Sequence, residues 1–200
     1  MRKATKTVAT WLGIVAGIGG LEHGYFEFLQ GNVPSASRVF PSMGPPCDPE
    51  KIWNACEPAL TVLPSLQIAG VLTVLLGLLT LIWSVFFIQV KDGGAILVLL
   101  SALLLLTGGG IFPPLIGIIG GVAGTQIHKP ITGKPGRARR WAVKMWPWPL
   151  VILMIWLLGL FPIGYFFNDF LSGIMGFGLF FILALLPLSV YTAYAYDTAK

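Results

Sequence analysis

Three side chains able to do chemistry, Glu22, His23 and Glu27, stand close together in an otherwise apolar stretch near the start of the chain. An imidazole and a carboxyl group one helical turn apart can hold a proton or a cation between them, and carboxyl groups drawn out of water tend to keep their protons. On a helix, at about 100° per residue, the three do not share one face. Gly13, Gly17, Gly20 and Gly24 fall on a narrow seam that Glu27 continues, with His23 and Gln30 on the same flank. Glu22 points the other way, beside Trp11, Ile18 and Tyr25. A paired-carboxylate acid–base site within this helix is therefore not expected. The candidate site is an intramembrane polar group of Glu22, His23, Glu27 and Gln30. Its bland alternative is a set of hydrogen bonds to neighbouring helices.

These residues must be positioned by membrane helices. Of the 200 residues 56% are hydrophobic and only 10% charged, and the apolar residues come in blocks rather than in amphipathic stripes. A helix needs about 20 residues to cross a hydrocarbon core of ~30 Å. Thr7 to Phe28 and Ser65 to Val90 meet that length, the second introduced by Pro64 and followed by a polar turn at Lys91-Asp92-Gly93-Gly94. The first segment, though preceded by Arg2, Lys3 and Lys6, is read as a transmembrane helix rather than a cleaved leader because it is long enough to span. Gly93 to Ile127 holds no ionisable residue and is too long for one span. Gly108-Gly109-Gly110-Ile111-Phe112-Pro113-Pro114 in its middle predicts a tight hairpin of two short helices. Pro149 to Phe167 and Ser172 to Tyr196 complete the set, with Asn168-Asp169 between them and kinks expected at Pro162 and Pro187.

The fold class is thus an all-α integral membrane protein, a single polytopic domain over 1–200. It is a six-transmembrane-helix bundle with a short central helical hairpin. With that hairpin, Arg2, Lys3, Lys6, Lys91, the basic loop 128–147 and Lys200 share one side, against Arg38 and Lys51 in the loop 30–62. The positive-inside rule makes the first side cytoplasmic, giving N-in/C-in topology in the plasma or inner membrane and an exported loop 30–62. Five spans would instead export the basic loop. The same distribution explains the pI of about 9.4 without nucleic acid.

Cys47 and Cys56, the only cysteines, both lie in the exported loop, where a disulfide is expected, beside a short interfacial helix starting at Asp48. In the basic loop Lys134, Arg137, Arg139, Arg140 and Lys144 serve as topogenic anchors with an attraction for anionic lipids; the segment lacks Walker spacing. No metal or cofactor is expected: the two histidines lie at opposite ends of the bundle, zinc ligands do not assemble, and no hydrolase or zincin motif occurs. Gly17 to Gly24, G-I-G-G-L-E-H-G, resembles the His-Gly turn in the first helix of DoxX-like membrane proteins. That family is usually four-spanning, and no activity is carried across. Gly117, Gly120, Gly121 and Gly124 give the fourth helix a second close-contact face, a natural mate for the first-helix seam. Two such faces and no motif for chemistry point to a non-enzymatic structural or accessory subunit or assembly factor, with other membrane subunits or a homo-oligomer as partners. The alternatives are a small proton- or cation-linked transporter or channel using Glu27 and His23, and a quinone-linked redox protein.

Overall fold

The computed structural model of the protein describes residues 1–43, 57–130 and 137–199. Cys47, Cys56, the short helix expected after Asp48, Lys134 and Lys200 lie outside the described residues. Four helices are long and apolar enough to cross a membrane: α1 (Lys3–Leu29), α2 (Leu66–Ile82, extended by a π-helical turn at Trp83–Phe87), α6 (Trp148–Phe166) and α7 (Asn168–Asp197). Between α2 and α6 come two shorter apolar helices, α3 (Gly93–Thr107) and α4 (Phe112–Gly124), and a basic helix, α5 (Arg137–Met145). At ~1.5 Å per residue α3 and α4 are only about 20 Å long, so they form the short central hairpin expected from the Gly-Gly-Gly and Pro-Pro signals. α3 ends at Gly108, whose φ of 121° excludes most side chains, and Gly109 donates back to the Leu104 carbonyl at 2.8 Å. Pro113 and Pro114 then occupy the first turn of α4, where missing amide protons leave no bond unmade.

α7 begins at Asn168, earlier than expected. Phe167 alone breaks the chain, and its carbonyl already accepts from Leu171 at 3.0 Å, which makes Asn168-Asp169 a first helical turn rather than a linker. Asp169 there complements the positive end of the helix. Pro162 and Pro187 lie inside α6 and α7.

α1 is the central helix, in contact with α2, α3, α4, α6 and α7. One apolar core joins it to α4, α6 and α7 through Val8, Leu12, Ile116, Leu153, Leu171 and Leu186, and a second joins it to α3 and the end of α2 through Ala9, Ile88 and Leu97. Its glycine seam is divided among partners. Gly17 and Gly24 meet α2 at Gly77 and Gly70: a β-carbon on Gly24 would stand 2.7 Å from the Val74 nitrogen and 2.9 Å from the Gly70 oxygen. Gly13 faces Ser84 and Gly20 faces Leu104. The glycine face of α4 does reach α1, Gly120 against Leu12 and Gly117 against Ala16, but Gly121 and Gly124 lie against Gly94 of α3. The seam therefore mates chiefly with α2, through two glycines lost to the eye in a leucine-rich segment.

The two ends of the bundle differ. At one, the Asp197 carboxylate accepts from the Ala4 and Thr5 amides at 3.0 and 2.7 Å and from the Thr5 hydroxyl at 2.8 Å, so the end of α7 caps the start of α1. The Arg2 guanidinium donates to the Pro130 carbonyl at 2.8 Å and lies over the Tyr194 ring, as does that of Arg139, while His128 meets the Gln89 carbonyl at 2.7 Å. Both chain termini, the α2–α3 turn and the end of α4 thus gather there. At the other end a two-stranded antiparallel ribbon, β1 (Val39–Pro41) and β2 (Pro58–Leu60), pairs Phe40 with Ala59. It bridges through Thr61 to Thr107 at the end of α3.

Gly24→Ala should force α1 and α2 apart and lower stability by about 1–3 kcal/mol, the usual range for overpacking. Gly159→Ala on α6, whose β-carbon would meet only the Ile163 side chain at 3.7 Å, should be neutral or stabilising. Thermal unfolding of both variants in one detergent checks the contrast.

Candidate functional site

The ribbon end of α1 carries the candidate site. His23 and Glu27, one turn apart, are both fully buried. The segment between α1 and α2 supplies the partners of His23: its Nδ1 lies 2.5 Å from the Ser42 hydroxyl, and its Nε2 lies 3.7 Å from the Glu57 carboxylate. The ribbon makes this arrangement. β1 and β2 place Ser42 and Glu57 opposite each other just past their last pair, with the Ser42 amide donating to the Glu57 carbonyl at 3.1 Å. Gln30 holds the same corner from the last turn of α1, donating to the Ser42 carbonyl at 2.8 Å. The structure thus brings His23 and Gln30 together on Ser42.

The α3–α4 turn covers the other side. Gly108 packs on the Glu27 carboxyl group and Gly110, at φ 76°, on the His23 ring; a β-carbon at either position would overlap those side chains. Neither Glu27 oxygen has a hydrogen-bond partner among the described residues. The Thr73 hydroxyl stands beside it but lies 2.9 Å from the Thr107 carbonyl and 3.1 Å from the Thr107 hydroxyl.

Glu22 belongs to a different space. With His23 and Glu57 it lines a cavity of about 300 Å³ between α1, α4, α6 and α7, otherwise walled by apolar groups that include Val15, Phe112, Ile116, Leu157 and Met175. Glu27 does not line it. The opposed directions of Glu22 and Glu27 are those that helical periodicity gives, and His23 lies between them. Among the described residues no three His, Cys, Asp or Glu side chains gather as a metal-binding group. Of the basic residues, Arg139, Arg140 and Lys144 lie on α5 at the far end, Lys144 over the Trp141 ring and Trp141 largely exposed. Arg137 opens that helix.

Ser42, Glu57, Thr73 and Thr107 were not singled out from sequence. The Gly108–Gly110 run marks a turn, and three residues without side chains also allow that turn to lie directly on buried polar groups. Compared with protein-family models, curated proteins and solved structures, the chain matches none.

Ser42→Ala leaves a buried imidazole nitrogen without its partner, a loss of about 1–3 kcal/mol, and unties the ribbon from α1. Amide exchange in residues 39–42 and 58–60 should quicken at least several-fold, with α6 and α7 unchanged. Exchange read by mass spectrometry checks this.

Proposed function

We propose that this chain is a non-enzymatic, six-pass membrane protein of the accessory kind, which binds a mostly apolar amphiphile in the cavity between α1, α4, α6 and α7. The observation that carries the binding reading is the cavity itself. Its walls are apolar and its titratable groups are confined to one region, formed by Glu22, His23 and Glu57. Binding sites for small molecules share that composition, with a few polar groups fixing the orientation of a mostly apolar ligand. The ligand class is an amphiphile whose head donates hydrogen bonds to the carboxylates or carries positive charge. Among the described residues the cavity wall carries apolar groups and two carboxylates beside an imidazole, a lining that suits binding.

Six passes with both termini cytoplasmic are favoured by the gathering of Arg2, Asp197, Gln89 and His128 at one end together with the basic helix α5. On this topology the ribbon, His23 and the loop that holds Cys47 and Cys56 are exported, and a Cys47–Cys56 disulfide belongs to the same reading. Arg139, Arg140 and Lys144, with Trp141 beside them, would meet anionic headgroups of the inner leaflet. The aromatic rings exposed on α6 and α7, among them Phe166, Phe170, Phe177 and Phe180, are suited to lipid.

Native mass spectrometry of protein extracted with its lipid should find one bound molecule of drug-like size. Ile116→Phe, which fills the cavity, should remove it, and Glu22→Gln should weaken its retention. An empty wild-type protein, together with a stabilised Ile116→Phe variant, would leave the cavity a packing defect and the scaffold role alone. A bound quinone would move the reading to redox chemistry. For topology, reporters fused after Lys91 and after Lys200 should both report the cytoplasm, and a reporter placed after Ser35 the opposite side.

A further inference from the structure

The Glu27 corner lies apart from the cavity and has a chemistry of its own. Both oxygens of this carboxyl group are buried, with the Thr73 hydroxyl beside them and no hydrogen bond formed to either among the described residues. The hydrogens of the surrounding groups are directed elsewhere, and what they turn toward Glu27 is oxygen. Thr73 lies 2.9 Å from the Thr107 carbonyl, and Thr107 lies 3.2 Å from the Leu104 carbonyl, so both hydroxyl hydrogens have main-chain acceptors. The amides of the turn are committed too: Gly108 and Gly109 donate to the Leu104 carbonyl, and Gly110 to the Gly108 carbonyl at 2.7 Å. Glu27 also lies in the last turn of α1 and against the last turn of α3, so two helices turn their negative ends toward it.

A single proton would satisfy one oxygen and leave the remaining lone pairs facing one another. A hard monovalent cation, which takes several oxygens at once, answers all of them. Interrupted membrane helices use their unwound carbonyls and C-terminal ends in this way. We propose that Glu27 is the anionic ligand of a binding site for a sodium-sized alkali cation, completed by oxygens of Thr73 and Thr107 and closed by the Gly108 turn. The side chains suit an alkali ion rather than a transition metal, since the donors are all oxygen and only one carries charge. Gly108 is required because any side chain there would occupy the space beside the carboxylate.

The test uses the full chain in nanodiscs of native lipid. Thermal unfolding is followed in NaCl and in choline chloride at matched ionic strength, and bound sodium-22 is counted by equilibrium dialysis. A site that binds only the folded protein should raise Tm with sodium concentration, and about one sodium-22 should bind per chain, saturably. Glu27→Gln should abolish both effects while the variant still elutes with the wild type. Thr73→Val, which keeps the shape and removes one oxygen, should weaken binding at least several-fold, and it serves in place of Glu27→Gln if that variant does not fold. Absence of saturable sodium-22 binding by the wild type overturns the proposal, as does a Tm that responds equally to choline. Binding retained in full by Glu27→Gln, or by Thr73→Val where Glu27→Gln does not fold, also overturns it.

Discussion

Burying an imidazole and a carboxyl group one turn apart in an apolar bundle is the demand that the ribbon end of this protein is built to meet. An unmatched polar group there is expensive, and an unmatched charge more so. The chain answers the two groups differently. His23 receives a hydroxyl and a carboxylate from a ribbon that folds back over the end of α1. Glu27 receives only the backbone of a glycine turn and the hydroxyl of Thr73, which is itself engaged by Thr107. The ribbon, the triple glycine and the short length of α3 and α4 are consequences of this. A longer hairpin would carry its turn past His23 and Glu27, and any residue larger than glycine at 108 or 110 would displace them.

The opposite end solves a different problem with charge. The first amides of α1 have no partner within their own helix, and Asp197, nearly two hundred residues away, supplies the acceptor. Arg2 then sits between the Pro130 carbonyl and the Tyr194 ring, so α1, the end of α4 and α7 are tied at one point. α6 and α7 otherwise reach the rest of the bundle mainly through α1 and α5, so this knot is a main tie between them and the remaining helices.

What could be read from the sequence was whatever depends on local chain geometry. The hairpin between Gly108 and Pro114 announced itself by residues that end and begin helices, and the opposed faces of Glu22 and Glu27 follow from periodicity alone. The ribbon did not. Its strands are three residues each and include Pro41 and Pro58, so neither alternation nor β-branched enrichment marks them, and only their closure onto α1 and α3 makes them strands. Nor did the partner of the glycine seam. Gly70 and Gly77 are seven residues apart in a leucine-rich segment, the spacing that keeps them on one face, but a seam identifies a close approach without saying which of several helices approaches.

The division of labour along α1 has a further consequence. His23 touches both environments: its ring faces the Gly110 turn, while its residue lines the cavity that Glu22 and Glu57 share. Glu57, partly exposed and 3.7 Å from the ring, is held by the ribbon rather than by a helix. The ribbon, the cavity and the Gly108–Gly110 turn therefore all meet at this one ring. The two sites occupy opposite faces of one helix, yet they share the imidazole between them, so neither could be built without fixing that ring.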